Sequence, residues 1–329
     1  MGRGVNPVER VLRGVDGWQQ RSTVVGPVFG VVRKFGDDRG PSLSALLAYY
    51  GFLSLFPLLL VLTTVLGFIG NAHFEEGVIG TTLQQFPVVG QQIGANAAHP
   101  IKGSGLALAF GLLGLVYGSL GVTQVAQRAM ADVWNVPNVV RPGFLPRLGR
   151  SLGFLAVLVV GLATAAGTGL PVRVVSVLAT LVLDVGLCGL VFRVLTPRQV
   201  SWAVLWPGAV AGGVGYSVLL TVGTGLVQHQ LRHAQALYGQ FGFVLGLMGW
   251  LYLVAQITIY AAEINVVKER RLWPRSILQP PLTDADERVL GAIALQEERR
   301  PEQSVDVAFD RAAAEAPASE PDGKADAGA

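Results

Sequence analysis

Long uncharged runs constrain this chain more than any other feature of its sequence. A bilayer core about 30 Å thick takes ~20 helical residues to cross, with every backbone N–H and C=O bonded inside the segment. Six runs approach that length: Leu43–Gly70, Ser104–Gln124, Ser151–Leu170, Val172–Leu195, Ser201–Val227 and Phe241–Asn265. They predict an all-α, polytopic membrane protein with six transmembrane helices. Composition points the same way, since 14% of the 329 residues are charged, against about a quarter in soluble domains. Met1 to Asp38 carries scattered charges and no early apolar core. No cleavable signal peptide is expected, and the first span serves as its own insertion signal.

Charge sets the expected orientation. The N-terminal segment, the loop after the second run, the turn after the fourth and the end of the sixth together hold 17 Lys and Arg, and the intervening loops hold 3. The positive-inside bias then places both termini in the cytoplasm. Ser276–Ala329 is acidic, with 12 acidic and 5 basic residues for a net of −7. Rich in Ala, Pro and Glu, it is expected to remain disordered. The chain thus divides into a cytoplasmic N-terminal segment with an amphipathic helix (1–40), a transmembrane domain (41–268) and a disordered acidic tail (276–329). Val8, Val11, Leu12, Val15 and Trp18 recur at helical spacing, with Arg10 and Arg13 off that face. Two placements suit such a helix: flat on the inner leaflet, or packed beneath the bundle.

The polar residues inside the runs fall on stripes. The fourth run carries Ser176, Thr180, Asp184 and Cys188 at four-residue intervals, and the fifth carries Ser217, Thr221, Thr224 and Gln228. The sixth carries Tyr252, Gln256, Tyr260 and Glu263, and the second Tyr117, Gly121, Gln124 and Arg128. Residues at i and i+4 share a helix face, and lipid satisfies no polar group, so these stripes are expected to face inward. Interhelical hydrogen bonds in a tight bundle account for any single Ser or Thr, and Gly114/Gly118 and Gly208/Gly212 suit close packing. Stripes on several helices together suggest a polar groove.

Asp184 is the sharpest candidate, because it lies midway between Arg173 and Arg193. An ionised carboxylate near the midplane costs ~2.5–3.5 kcal/mol on the lenient insertion scale. It is expected to be protonated, paired or hydrated, and a neutral Asp bonded to a neighbouring hydroxyl is the structural alternative. Glu263 lies close to Lys268 and Arg270, which suggests an interfacial salt bridge. In the first run Pro57 lacks an N–H and is expected to kink or interrupt the helix. Tyr50 and Ser54, on the turns just before it, satisfy freed backbone groups or line the cavity.

Two strings carry a resemblance. FGDDRGPSLSALLAYYGFLSLFPLLL resembles the N-terminal signature of the YihY/BrkB membrane proteins, once labelled ribonuclease BN, and YGQFGFVLGLMGWLYLVAQITIYAAEIN resembles their last span. Trp134, Asn135 and the Arg-rich loop that follows fit more loosely. Ala261-Ala262-Glu263 departs from the Gly-Ala-Glu that members commonly carry before the final Asn. The resemblance covers roughly Val28 to Val267. It implies a six-helix inner-membrane protein tied to envelope integrity, with transport of a lipid or other amphiphile as the suggested role.

The residues disfavour an enzyme. Hydrolysis of RNA on metal ions needs clustered His and Asp ligands, and the four histidines (His73, His99, His229, His233) all fall on the expected outer side. His229 and His233 stand at i, i+4, but HQLRH lacks the Glu of H-E-x-x-H, and a solvated loop is the simpler reading. There is no Walker A motif, no G-x-S-x-G and no Cys–His metal pattern. No cofactor, metal or nucleic-acid partner is expected, and any transport runs without ATP hydrolysis. Expected partners are membrane lipids, an amphiphilic substrate or other envelope proteins. The conduit and a scaffold without transport activity both remain open. Candidate groove-lining residues are Tyr50, Ser54, Pro57, Tyr117, Gln124, Thr180, Asp184, Ser217, Thr221, Tyr252, Gln256 and Glu263.

Overall fold

In a computed structural model, the described residues are 7–69, 105–154 (except 142, 144, 147 and 152), 173–197, 200–238 and 240–310. Among them are eight α-helices: α1 (Pro7–Arg21), α2 (Val25–Asp37), α3 (Gly40–Ile69), α4 (Gly105–Val133), α5 (Arg173–Leu195), α6 (Trp202–Tyr238), α7 (Gln240–Arg270) and α8 (Asp284–Leu295). A 3-10 turn at Asn138–Val140 follows α4. Three stretches of these residues are long and apolar enough to cross a membrane: Leu178–Leu195, Trp202–Gly223 and Val244–Arg270. The 30 residues of α3 and 29 of α4 coincide with the first two runs and extend ~45 Å each at 1.5 Å per residue. The third run lies outside the described residues from 155 onward, as does the loop Asn71–Lys102.

Helix α7 is the spine. It packs on α6, α3, α2 and α4, while α5 packs on α6 and α3 on α4. Contact with α6 is close because Gly208 and Gly212 face α7. A Cβ at Gly208 would stand 2.1 Å from the Ala261 carbonyl, and one at Gly212 would stand 3.1 Å from Ala261 Cβ on α7 and 2.5 Å from Cys188 Sγ on α5. Pro207 lies inside α6 and disturbs the local hydrogen-bond ladder. The next amide, Gly208 N–H, donates to Asn265 Oδ1 on α7 at 2.6 Å. Proline, glycine and asparagine thus form one device, in which a side chain from α7 meets a backbone amide beside the proline and only glycine permits the approach.

Four expectations need correcting. Helix α3 runs unbroken through Pro57, so of the kink or interruption expected there the interruption does not occur. A proline removes one hydrogen bond while the turns on either side keep theirs, so the helix need not be interrupted. His229 and His233 do not lie in a loop, because α6 continues to Tyr238. The stripe residues do not all face inward, since Thr221 is exposed and its hydroxyl donates to the Ser217 carbonyl of its own helix at 2.8 Å. A hydroxyl satisfied in this way needs no interior partner.

The fourth correction concerns the tail, which is not disordered from residue 276. Helix α8 starts with a capping box in which Thr283 Oγ1 accepts from Asp286 N–H and the Asp286 carboxylate accepts from Thr283 N–H. Val289 is buried, and Ile293 packs on the main core cluster. Beyond α8, Val139 N–H donates to the Glu298 carbonyl at 3.0 Å and Gln296 Nε2 to the Asp132 carbonyl at 2.8 Å. The acidic average conceals an amphipathic helix whose caps and apolar face outweigh composition.

For helix α1 the structure shows the packed placement. It packs beneath the bundle by its polar face, where Asp16 and Gln19 are buried, and leaves Val11, Val15 and Trp18 exposed.

Candidate functional site

Two polar centres emerge, one at an end of the bundle and one within it. The first grows from FGDD. Phe35, at the end of α2, stacks on Tyr260 of α7 with ring centroids 3.8 Å apart, which fixes the register of α2 against α7. One residue earlier, Lys34 points into the same contact and is fully buried. Its Nζ lies 3.1 Å from Glu263 Oε2, donates to the Val133 carbonyl at 2.8 Å, and pairs with Asp38. Glu263 therefore pairs with Lys34, and not with Lys268 or Arg270 as its neighbours in sequence suggested. Its site is the interior, and Lys268 is exposed.

Asn135 closes this centre. Its φ of 46° ends α4 in the left-handed region, which asparagine tolerates better than most residues. Its Oδ1 accepts from Arg270 at 3.4 Å, and Arg270 also donates to the Trp134 carbonyl at 2.6 Å. Two carboxylates thus share one ammonium where water is excluded. Burial raises the Asp38 carboxyl above its ordinary value, against the opposing pull of Lys34. With one cation between Asp38 and Glu263, removal of the Lys34 ammonium would leave buried charge uncompensated, which is costly.

Next to it, Arg275 forms a latch. Its guanidinium pairs with Asp286 of α8 and, at 2.6 Å, with Asp37 of α2, and its carbonyl accepts from Gln19 of α1. Asp16 accepts from Ile277 N–H at 3.1 Å. For Asp16 and Asp286, burial pushes the carboxyl upward, but the donors around each outweigh it and both lie below the ordinary value. Lys34, Asp37, Asp38, Asn135, Arg275 and Asp286 were not singled out as site residues from the sequence. The DD pair could have pointed to Asp37 and Asp38, and the T-x-x-D box to Asp286.

The second centre is Asp184. It is buried on α5, and Ser217 Oγ of α6 donates to its Oδ2 at 2.9 Å. The small residues nearby allow the approach, since a Cβ at Gly213 would meet Val185 at 2.6 Å. Of the other candidates, Thr180 and Gln124 are half-buried. On α7, Gln256 Nε2 donates to Tyr252 Oη at 3.1 Å. Ser54 Oγ donates to the Gly51 carbonyl at 2.7 Å, and Tyr50 covers Gly121 of α4. The side chains of Pro57 and Tyr117 lie outside those described. The structure brings Asp184 of α5 and Ser217 of α6 together, whereas Tyr252 and Gln256 meet within α7 alone. Among the described residues no three His, Cys, Asp or Glu side chains are grouped to hold a metal.

Comparison with known proteins places these residues in context. The family described as virulence factor BrkB matches residues 31–282, a span that takes in Lys34, Asp38, Asn135, Asp184, Glu263 and Arg275. The chain is 25% identical over 255 residues to the ribonuclease-like protein YfkH of Bacillus subtilis, covering 70% of this chain and 91% of that one. It is also 25% identical to a UPF0761 membrane protein of Rhodospirillum centenum (83% of this chain, 64% of the relative). A UPF0761 membrane protein of Stenotrophomonas maltophilia gives the same identity over 70% of this chain and 58% of the relative. The chain therefore spans less than two thirds of those two relatives. No solved structure matches.

Proposed function

The chain belongs to the BrkB family of membrane proteins, and from that premise we propose that it binds or moves a lipid or other amphiphile within its bundle, without ATP hydrolysis, in support of envelope integrity. The proposal includes six spans and both termini in the cytoplasm of a bacterium. The ends of α2, α4 and α7 and helix α8 meet at one end of the bundle through Lys34, Arg270 and Arg275, which supports the shared side that the charge count predicts. The observation that carries the amphiphile reading is Asp184: a buried carboxylate inside an apolar span, bonded among the described residues to the Ser217 hydroxyl, with half-buried Thr180 one turn away. A polar headgroup offers such a carboxylate the donors that the lipid tails withhold.

The test is reconstitution into phosphatidylcholine/phosphatidylglycerol vesicles carrying a trace of NBD-labelled phosphatidylethanolamine. Dithionite bleaches only the outer leaflet unless lipid crosses. The proposal expects bleaching to continue into the inner-leaflet pool with the wild type and to slow at least several-fold with Asp184→Asn. Bleaching that stops at the outer leaflet in both would overturn it.

A scaffold reading stands second, favoured by one observation: the seam hydroxyls and amides are bonded within the bundle, Ser217 to Asp184, Gln256 to Tyr252 and Ser54 to Gly51. An enzyme is not proposed. The ribonuclease-like name belongs to the Bacillus relative, and the His229/His233 pair of this chain has no third ligand in the sequence pattern.

A further inference from the structure

Helices α1 and α2 are built inside out for a water-facing hairpin. On α1 the polar residues are the docked ones: Asp16 and Gln19 are buried against the Arg275–Ile277 strand of backbone, bonded through Ile277 N–H and the Arg275 carbonyl. The apolar residues Val11, Leu12, Val15 and Trp18 occupy the outer face, at i, i+1, i+4 and i+7. On α2 the docked face is glycine, since a Cβ at Gly30 would stand 3.0 Å from the Leu272 carbonyl and one at Gly26 3.3 Å from that of Gln19. Its outer face is a row of valines, Val24, Val28 and Val32, which are 71%, 60% and 50% exposed. In water this arrangement would spend polar groups on the interior and leave seven large apolar side chains wet, the reverse of the usual amphipathic rule.

We propose that α1 and α2 lie in the headgroup–acyl boundary of the membrane, on the leaflet at the polar end of the bundle, with this valine and tryptophan face immersed in lipid. Two features select lipid over a protein partner. The face runs on in chain order into α3, whose Leu46, Tyr49 and Leu53 are exposed at i, i+3 and i+7 on a helix of spanning length. The exposed charged side chains described on α1 include Arg10 and Arg21, each favouring an anionic surface, whereas Asp16 is turned inward. A helix of this kind seats its apolar face ~5–10 Å into the boundary while its basic residues meet phosphate. The inference rests on the chain crossing a membrane and not on its moving lipid, so failure of the dithionite assay leaves it untouched.

The experiment uses the full chain in a Cys188→Ala background, with single cysteines at Val15, Val28, Val182 and Glu302, each labelled with NBD. The protein is reconstituted in phosphatidylcholine/phosphatidylglycerol vesicles, with spin-labelled lipids as quenchers. Val182 is exposed on the spanning part of α5 and marks the lipid-facing limit, and Glu302 is exposed beyond α8 and marks the aqueous one. The expected result is blue-shifted emission at Val15 and Val28, quenched more by a label near the headgroup than by one deep in the acyl chain. Val182 should show the opposite depth preference. Emission and quenching at Val15 and Val28 that match Glu302 would overturn the inference. So would shielding that is insensitive to lipid quenchers and disappears when the protein is diluted to one copy per vesicle, since that outcome identifies a second copy as the occupant.

Discussion

Replacing Lys34 with Met keeps the length of the side chain and removes the ammonium that Asp38 and Glu263 share. Its Nζ reaches Glu263 Oε2 at 3.1 Å and the Val133 carbonyl at 2.8 Å, with no solvent exposure to screen the loss. Deleting one partner of a buried ion pair costs about 3–5 kcal/mol, because the remaining charge is left uncompensated. That is roughly a 10²–10⁴-fold loss in the folded ratio, at ~1.4 kcal/mol per tenfold. Glu263→Gln is the informative contrast. It is nearly isosteric, removes one of two carboxylates competing for one cation and leaves the Lys34–Asp38 pair intact, so its expected cost is that of an ordinary hydrogen bond, ~0.5–1.5 kcal/mol. Adding Glu263→Gln to Lys34→Met should restore part of the loss, a non-additivity of at least ~1 kcal/mol for residues in direct contact. The assay is SDS-driven unfolding in mild detergent followed by helical circular dichroism near neutral pH. If Lys34→Met costs no more than Glu263→Gln, or if the two effects simply add, the shared-ammonium reasoning is wrong.

Truncation after Leu282 should destabilise the protein by about 3 kcal/mol, because Arg275 stays buried with Asp37 but loses Asp286; truncation after Asp310, which spares α8, is the matched control, with thermal unfolding in detergent as the readout. Acid should release α8. The Asp286 and Asp16 carboxyls lie below their ordinary 3.8 in the folded chain, so the latch contributes fully above that value and loses its contribution as pH falls through the lower folded one. Limited proteolysis between Arg275 and Asp284 against pH should detect the release, and Asp286→Asn combined with Asp16→Asn should abolish its pH dependence. Asp38 acts with the opposite sign: its raised carboxyl means stability declines as pH rises from 3.8 through the folded value, and Asp38→Asn should flatten that part of the profile. Gly208→Val should force α6 from α7 and cost about 1–3 kcal/mol or more, while Asn265→Ala should cost ~1–3 kcal/mol by leaving the Gly208 amide unpaired; equal stability to wild type in either, by the same SDS titration, would count against the α6–α7 device.

What could be read in the chain follows from the range over which each interaction acts. Spanning runs are local, and the structure places α3, α4, α5, α6 and α7 on five of them. The Gly208/Gly212 spacing likewise announced close packing, because a small-residue row is a property of one helix. Glu263 was misassigned for the same reason: Lys268 and Arg270 are near in sequence, but its partner Lys34 lies on another helix more than two hundred residues away. Thr221 shows the limit of stripes. Four-residue spacing identifies a face without saying what covers it, and a hydroxyl on that face can satisfy itself on its own backbone. Helix α8 was legible in principle. Thr283-x-x-Asp286 ahead of Val289 and Ile293 is an N-terminal signature, obscured when the whole segment is averaged as acidic.

The latch also imposes an order on synthesis. Arg275 and Asp37 are 238 residues apart, and Ile277 and Asp16 are 261 apart. At ~5–20 residues per second, the first two helices emerge roughly ten to fifty seconds before their partners exist. During that interval every later hydrophobic segment must enter the membrane while Asp16, Asp37 and Asp38 remain hydrated. The ring joining the beginning of the chain to its end can close only on a polypeptide whose intervening segments are already threaded. Ring closure therefore marks a completed insertion, and a chain that skips a segment would present Arg275 on the wrong side, with nothing to bind.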